Sequence, residues 1–254
     1  MGAGHAHTLY VHEHSPVHRL PPETKVLSVF LFVAVVAITP REAIWAFGAY
    51  AAMEAALIGF ARVPARFVLS RLVAVAPFVV FALFLPFIGA GKNFDLLGIS
   101  LSGEGVWAMW NILAKAILGA TASILLAATT EVPDMVQGFG RLRVPPVITG
   151  IASFMIRYLE VVAGELARMR TAMTARGYDP RWLSQARPIA ASAGTLFVRS
   201  YERGERVYDA MLSRGYNGVM PALGTRSATR REWLGALAIP LFAAVVSAIA
   251  VMTS

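Results

Sequence analysis

The stretch Leu72–Gly91, LVAVAPFVVFALFLPFIGAG, contains twenty residues and no charged side chain. An α-helix rises about 1.5 Å per residue, so this stretch can cross the roughly 30 Å hydrocarbon core of a bilayer. Pro77 and Pro86 lie inside it, and a membrane helix tolerates proline where neighbouring helices satisfy the freed carbonyl groups. The stretch therefore predicts a transmembrane helix, and with it an integral membrane protein.

The composition of the whole chain agrees with a membrane location. Of 254 residues, 57% are hydrophobic and only 15% are charged, which is more apolar than a soluble domain of this length. The net charge of +8 is mostly arginine beside hydrophobic segments, so it favours orientation in a lipid bilayer and no nucleic-acid partner is predicted. The chain has no cysteine, which excludes disulfides, thiolate metal sites and cysteine nucleophiles.

Four other apolar runs predict further spans, at residues 26–39, 43–61, 105–130 and 233–254. The first run is short, so whether residues 26–61 cross the membrane twice stays open. Glu54 and Lys115 are the only charges inside the spans. Each is about eleven positions from the outer end of its run, or roughly 16 Å deep, which predicts that they pair inside the bundle. The alternative is that each side chain snorkels or faces a water-filled gap.

Basic residues predict the orientation. Arg62, Arg66 and Arg71 indicate a cytoplasmic loop, because cytoplasmic loops are enriched in lysine and arginine. Fifteen of the 23 Lys and Arg residues lie between positions 131 and 231, which predicts a cytoplasmic domain of long helices before the last span. The fold class is therefore an all-α polytopic membrane protein with about five transmembrane helices, a cytoplasmic N-terminus and Ser254 outside.

This interpretation divides the chain into four segments. They are a His-rich N-terminal arm, 1–24; transmembrane helices, 25–130; the cytoplasmic domain, 131–231; and a C-terminal transmembrane helix, 232–254. The arm is polar, so it is not predicted to be a cleavable signal peptide. How deeply residues 146–164 enter the membrane stays open.

A hexamer recurs in the basic segment, as Met173-Thr-Ala-Arg176-Gly177-Tyr178 and Met211-Leu-Ser-Arg214-Gly215-Tyr216. Each copy ends a predicted helix, at about 147–175 and 188–213. One interpretation is helix capping, with glycine as the left-handed stop and a cation at the helix C-terminus. The other is a pair of contacts, because the planar guanidinium group of arginine suits an acidic or carbonyl-lined partner groove. The recurring methionine and tyrosine favour contacts, since capping alone does not obviously require them.

The arm holds all five histidines of the chain, at His5, His7, His12, His14 and His18. Imidazoles bind transition metals, but the arm lacks the cysteine, aspartate or helical histidine spacing that makes a site specific. A flexible tail, an interfacial segment and a lid under the bundle are the alternatives, and no metal site is predicted.

Motifs for catalysis are missing from the sequence. Gly89-Ala-Gly91-Lys92-Asn93 lacks the spacing and the hydroxyl of a nucleotide-binding loop, and no H-E-x-x-H or G-x-S-x-G occurs. The chain is therefore predicted to be non-catalytic and to bind no cofactor.

Several motifs together resemble one family. They are Ser15-Pro16-Val17-His18-Arg19-Leu20 leading to Lys25, Arg157-Tyr158 after Val144-Pro145, and the pair Ala175-Arg176-Gly177 and Ser213-Arg214-Gly215. Over nearly its whole length the chain resembles the transmembrane coupling (T) subunit of energy-coupling factor transporters, in the cobalt-type branch called CbiQ. Pro21 and Glu23 stand where relatives often have Asp and Arg, so Glu23 is assigned no role.

The resemblance implies a non-catalytic subunit in the plasma membrane. The paired Arg motifs would end two cytoplasmic coupling helices that seat in grooves on two ATP-binding (CbiO-like) subunits. The membrane helices would embrace a substrate-binding membrane subunit (CbiM-like), with a small accessory membrane subunit as an open addition. Cobalt is the expected substrate, with nickel and vitamin systems as alternatives.

A self-contained secondary transporter or channel is the rival from another class. The sequence has no obvious inverted repeat, and its spans hold few candidate pathway charges. Co-purification of ATPases and a substrate-binding subunit would separate the two interpretations.

Overall fold

The computed structural model describes residues 10, 11, 13, 15–88, 93–96, 99–178, 187–218 and 227–253. Apart from one short hairpin, the regular structure in these residues is helical, which confirms the predicted all-α class. The helices are α1 (Pro22–Ile38), α2 (Ile44–Ala61), α3 (Ala65–Arg71), α4 (Ala76–Ile88), α5 (Gly103–Thr129), α6 (Val132–Arg141), α7 (Pro146–Ala175), α8 (Arg187–Leu212) and α9 (Arg230–Thr253). The antiparallel hairpin pairs β1 (Asn93–Leu96) with β2 (Ile99–Ser102).

Five helical stretches within the described residues are long and apolar enough to cross a membrane, which confirms a polytopic membrane protein. They are Ile44–Ala61, Ala65–Phe87, Gly103–Thr129, Pro146–Ala175 and Arg230–Thr253. These five stretches differ from the predicted spans at two helices. Helix α1 has only 17 residues, or about 25 Å, and is not among them. Helix α7, predicted as part of the cytoplasmic domain, has the composition of a span.

The stretch around Leu72 begins earlier than predicted. Helix α3 already contains Arg66 and Arg71, and the guanidinium of Arg71 lies 3.6 Å from the centre of the Phe67 ring. A 3₁₀ turn, Leu72–Val75, then joins α3 to α4. Pro77 explains the turn, because proline has no backbone N–H and its ring crowds the carbonyl four residues before it. The uncharged run therefore marked the apolar part of a longer, interrupted helix.

Two compact groups of helices are present. The first, here called the bundle, contains α1 to α5 and α9. At its centre Tyr50 is fully buried, and its ring meets Phe32 and Phe47 edge-on at centroid distances of 5.9 and 6.3 Å. The Tyr50 hydroxyl lies 3.2 Å from the Ala243 carbonyl, to which it donates. A buried ring with a satisfied hydroxyl anchors α2 to α1 and α9.

Small side chains let α9 approach its neighbours closely. Ala236, Ala243 and Ala250 recur every seven residues and are buried. This spacing places them on one helix face, as in the small-residue interfaces of membrane helices. The hydroxyl of Ser28 on α1 donates to the Ala236 carbonyl at 2.8 Å, which pins α1 to this face.

The second group is the helix pair α7 and α8. Ser192 near the start of α8 lies 3.5 Å from the sulfur of Met173 near the end of α7. Glu165, nearer the middle of α7, contacts Arg199 and Arg203 of α8 at 3.0 Å each. The two helices are therefore antiparallel. Among the described residues of this pair, Gly150 is buried and no residue of α8 is.

Candidate coupling surface

The two recurring hexamers end α7 and α8 with the same hydrogen bonds. At the end of α7, the Tyr178 amide donates to the Met173 carbonyl at 3.1 Å and the Gly177 amide donates to the Thr174 carbonyl at 3.0 Å. At the end of α8, the Tyr216 amide donates to Met211 at 3.0 Å and the Gly215 amide to Leu212 at 2.9 Å. This pair of bonds defines the Schellman motif.

The motif corrects one part of the sequence interpretation. A Schellman motif commonly brings together the residue after the glycine and the residue three positions before the helix cap. In the hexamers these residues are tyrosine and methionine, and all four side chains are half-buried. Capping therefore accounts for the methionine, glycine and tyrosine. A cation is also favourable at a helix C-terminus, but the hydrogen bonds of the motif do not themselves require arginine.

Gly177 and Gly215 have φ angles of +76° and +82°. This left-handed conformation favours glycine because a Cβ atom would approach the following carbonyl. A Cβ built at either position meets no atom within 4 Å. Backbone conformation, and not crowding, therefore requires glycine here.

Arg176 and Arg214 occupy the cap position itself, and both side chains are exposed. Within the described part of the chain, neither guanidinium forms an ion pair. Their neighbours Ala175 and Ser213 are exposed, and the Ser213 hydroxyl donates to the Asp209 carbonyl of its own helix. Each helix thus ends in a Schellman turn that presents one exposed guanidinium, which has no ion-pair partner among the described residues.

The antiparallel packing separates the two ends. The Arg176 end lies beside the start of α8, as the contact between Met173 and Ser192 indicates. From Ser192 to Arg214 there are 22 helical steps, so the two ends are roughly 30 Å apart at 1.5 Å per step. Two sites so far apart suit two separate contacts.

A groove of about 700 Å³ adjoins Arg214. It lies between the first half of α7 and the end of α8. Four guanidinium groups and no carboxylate line it; its residues are Phe154, Arg157, Tyr158, Arg203, Arg206, Val207, Ala210, Met211, Arg214, Gly215, Tyr216 and Asn217. The Arg214 end is therefore strongly cationic.

In the bundle, the structure reveals a role for two lysines that the sequence did not assign. Lys25 at the start of α1 is buried, and its ammonium donates to the Thr129 carbonyl at the end of α5 at 2.7 Å. It also contacts the His18 carbonyl and the Thr130 hydroxyl, each at 3.2 Å. The last carbonyls of a helix lack partners within the helix and carry partial negative charge, so a cation satisfies them well.

Lys115 does the same in the opposite direction. It lies on α5 and donates to the Ala37 carbonyl in the last turn of α1 at 2.7 Å. Helices α1 and α5 are thus antiparallel, and a lysine of each binds the C-terminal end of the other.

The predicted pair of Glu54 and Lys115 is therefore not formed in the structure. Glu54 is buried, and its Oε1 atom has no hydrogen-bond partner among the described residues. It lines a largely apolar cavity of about 70 Å³ that Lys25 and Met53 also line. The two residues are at similar depths, but depth does not determine which face of a helix a side chain occupies. Lys115 faces α1 and takes its carbonyl instead.

Glu23, to which no role was assigned, is a buried structural residue. Its carboxylate accepts a hydrogen bond from the Ala228 amide at 3.0 Å, just before α9 begins. This contact ties the start of α1 to the start of the last helix. In the sequence, the only signal for this role was a charged residue directly after Pro21-Pro22.

His18 belongs to the packed part of the arm. Its Nδ1 atom lies 2.8 Å from the Ser15 hydroxyl and its Nε2 atom 3.1 Å from the Val11 carbonyl, so Nε2 carries the proton of the neutral ring. The Val11 amide donates to the Ala128 carbonyl, which attaches this stretch to the end of α5. Burial lowers the pKa of His18 below its ordinary value, and the charge of Lys25 acts in the same direction.

No group of three or more metal-ligating side chains occurs among the described residues. His5, His7, His12 and His14 lie outside those residues. Both ring nitrogens of His18 are already engaged by Ser15 and Val11. His18 therefore acts as a structural residue in this arrangement.

Comparison with known proteins gives one family and several relatives. The sequence profile of the family described as CbiQ, cobalt transport protein, matches residues 13–225, which include both arginine–glycine helix ends. The cobalt transport protein CbiQ of Rhodobacter capsulatus is 34% identical over 197 residues, which are 74% of this chain and 75% of that protein. The energy-coupling factor transporter transmembrane protein EcfT of Brevibacillus brevis is 28% identical over 223 residues, 82% of this chain and 83% of that protein.

A further relative is described as a fused protein. A protein of Methanocorpusculum labreanum described as a fused cobalt transport protein CbiMQ is 27% identical over 109 residues. The match covers 43% of this chain and 18% of that protein.

Proposed function

Since the chain belongs to the CbiQ family of cobalt transport proteins, we propose that it is the coupling subunit of an ATP-driven energy-coupling factor importer. Family membership makes it a multi-pass transmembrane component of a transporter of the cobalt or energy-coupling factor type. In the proposed complex it links two CbiO-like ATPase subunits to a CbiM-like substrate-binding subunit, and it catalyses no reaction itself.

The observation that carries this proposal is the pair of exposed arginines on equivalent helix ends. Arg176 and Arg214 sit on Schellman turns of the same geometry, about 30 Å apart by helical rise. Two similar ends suit two similar subunits, one contact for each. A guanidinium can donate several hydrogen bonds to carbonyls or carboxylates of a groove, and a rigid turn behind it transmits displacement of that groove to the helix.

The proposal includes an orientation. The basic residues of region 131–231 and the N-terminal arm lie on the cytoplasmic side of the membrane, the C-terminus lies outside, and the membrane is the plasma membrane. Because the chain has no cysteine, a single Thr195→Cys variant has no background for labelling. An impermeant thiol reagent should label it in inverted vesicles and not in intact cells; the reverse pattern would refute this orientation.

Cobalt is the proposed substrate, since the family and its Rhodobacter capsulatus relative are described as cobalt transport proteins. A nickel or vitamin system is the second candidate, because the EcfT relatives, which align over 82% of this chain, are described without a cobalt substrate. The ion would be bound by the substrate-binding subunit, so deletion of residues 1–12 should leave uptake largely intact.

The test of coupling is the double variant Arg176→Glu/Arg214→Glu in the assembled transporter. Reversal of both charges should abolish co-purification of the ATPases and uptake of cobalt, because a buried arginine contact costs about 2 to 5 kcal/mol when its partner is left unpaired. Arg176→Lys/Arg214→Lys should restore function only in part, since lysine keeps the charge and loses the planar group. Membrane insertion should be unchanged for both.

A matched control is the double variant Arg168→Glu/Arg170→Glu. Both residues are exposed on α7, and the change in charge is the same. This variant should recruit ATPases and support uptake normally. Normal recruitment and uptake by the Arg176/Arg214 variant would refute the proposed coupling role. Equal loss in both variants would show that only the total charge of this region matters.

A further inference from the structure

The arginine-lined groove between α7 and α8 contains three arginines besides Arg214 that helix capping and the proposed ATPase contact do not use. Arg157, Arg203 and Arg206 line it together with Arg214, and none of its twelve lining residues is acidic. Arg203 already contacts Glu165, and Arg206 lies 3.9 Å from Glu202. Arg157 forms no ion pair within the described part of the chain. A groove of this kind attracts an anion.

The position of the groove along α7 identifies the kind of anion. Residues 144–156 carry no charge, and Arg157 is the first charged residue after them. On the first half of α7, five large apolar side chains are each more than half exposed: Val147, Ile148, Ile151, Met155 and Leu159. Four of them recur every four residues, so they form a stripe about 18 Å long on one helix face. The groove therefore opens where an exposed apolar surface changes to a basic one.

A bilayer presents the same change from apolar to charged at its headgroups. Arginine binds phosphate with two parallel hydrogen bonds, and tyrosines such as Tyr158 and Tyr216 are favoured at the same depth. We propose that this groove binds the phosphate group of an anionic phospholipid, with the apolar stripe of α7 lying against its acyl chains. A lipid bilayer supplies this ligand, and the proposal rests on Arg157, Arg203 and Arg206, since Arg214 also belongs to the proposed ATPase contact.

An acidic segment of a soluble partner is the competing occupant. It would match the charge of the groove, but it would leave the adjoining apolar stripe uncovered. A phospholipid matches both surfaces with one molecule, because its charged and apolar parts adjoin each other as the groove and the stripe do.

The test compares lipid retention by the purified full chain, or by the complex in which it is isolated. The protein is equilibrated in detergent with equimolar phosphatidylglycerol and phosphatidylcholine, and bound lipid is counted by native mass spectrometry. The groove variant is Arg157→Gln/Arg206→Gln, which leaves Arg214 intact. Each arginine near an anionic lipid strengthens binding about fivefold, so this variant should retain phosphatidylglycerol about 25-fold less tightly.

Two control variants separate charge and folding from the site. Arg168→Gln/Arg170→Gln removes the same charge from α7 outside the groove and should retain phosphatidylglycerol as the unaltered chain does. Arg157→Lys/Arg206→Lys keeps the charge and should recover most of the retention. Loss in both variants together with a lowered melting temperature would mean that folding, and not the site, had changed, and would overturn the proposal.

Other outcomes would also overturn it. Equal retention of the two lipids by the unaltered chain, or full retention by the groove variant, would show that the groove selects no anionic lipid. Displacement of phosphatidylglycerol by an equal concentration of glycerol phosphate would assign the groove to a soluble phosphate. Normal lipid retention with lost ATPase recruitment in the groove variant would assign it to the ATPase.

Discussion

The bundle and the α7–α8 pair differ in how far other residues of this chain cover their side chains. In the bundle, aromatic and small residues of α1, α2, α5 and α9 form a buried core around Tyr50. In the described residues of the pair, α8 buries no side chain, and one acidic residue, Glu165, joins the helices through two arginines. The bundle is therefore stabilised from within, whereas the pair has the exposed surface of an element that binds other molecules.

The largest difference between the two regions should appear on removal of one tyrosine from each. Tyr50→Ala removes a fully buried ring and a hydroxyl that contacts Thr39 and Ala243, and should lower the free energy of unfolding by about 3 to 5 kcal/mol. Tyr208→Ala on α8 removes a ring that is 54% exposed and should change the free energy of unfolding by less than about 0.5 kcal/mol. Thermal unfolding in detergent measures both. Equal shifts would contradict the contrast between the regions.

A smaller effect should distinguish the two lysines of the bundle. Lys25→Met leaves the Thr129 carbonyl and two other acceptors without their cation, and should cost about 2 to 3 kcal/mol. Lys115→Met leaves only the Ala37 carbonyl, at a less buried position, and should cost about 1 kcal/mol. Thermal unfolding of the two variants under the same conditions tests the order. A greater loss for Lys115→Met would refute the importance given to burial.

Glycine substitutions should destabilise only the helix ends in the α7–α8 pair, whereas in the bundle they should destabilise the whole fold. Gly177→Ala and Gly215→Ala should each cost about 1 to 2 kcal/mol, because alanine is strained at positive φ although space is free. Hydrogen exchange should show faster opening of the last turns of α7 and α8, with the melting temperature nearly unchanged. Gly105→Ala should lower the melting temperature more, since its Cβ would overlap the backbone of Leu85 and Pro86. A melting temperature unaffected by Gly105→Ala would argue against this close contact.

The smallest effect concerns pH and His18. Burial lowers the pKa of this ring in the folded chain, so folding favours the neutral form. Its contribution should be complete above the ordinary value of about 6.5 and should fall as pH falls through the lowered pKa. The melting temperature of the unaltered chain should therefore decline slightly more between pH 7.5 and 5.5 than that of His18→Gln. Parallel curves would mean that protonation of His18 does not affect stability.

Some of the fold follows from the sequence with little ambiguity. Residues 43–61, 105–130 and 233–254 are predicted as spans within a few residues of α2, α5 and α9, because a long apolar run with at most one charge has few alternatives to a membrane helix. The repeated Arg-Gly likewise predicted two helix ends. In both cases one local property, apolar length or a left-handed glycine, determines the structure.

The remaining features depend on contacts between distant elements. The sequence suggested the depth of Glu54 and Lys115 but not the rotation of their helices, so the predicted pair was wrong and Lys115 binds Ala37 instead. The roles of Lys25 and Glu23 depend on residues more than 100 positions away, Thr129 and Ala228. The sequence did not attribute the recurring methionine and tyrosine to capping, because the hydrogen bonds of a Schellman turn are recognised only in the structure.

One of the two ion pairs of Glu165, the pair with Arg203, lies equally far along the two helices from Arg176 and Arg214, whereas Arg199 lies fifteen residues before Arg214. Glu165 is eleven residues before Arg176 on α7, and Arg203 is eleven residues before Arg214 on α8. Each arginine is therefore about 16 Å from the point where the helices are joined, on opposite sides of it. A rotation of about 10° about that point would move one arginine by about 3 Å in one direction and the other by the same distance in the opposite direction. Displacement of one helix end would thus move the other end in the opposite direction. In the proposed complex, the two ATPase contacts would therefore be coupled without any change within either helix.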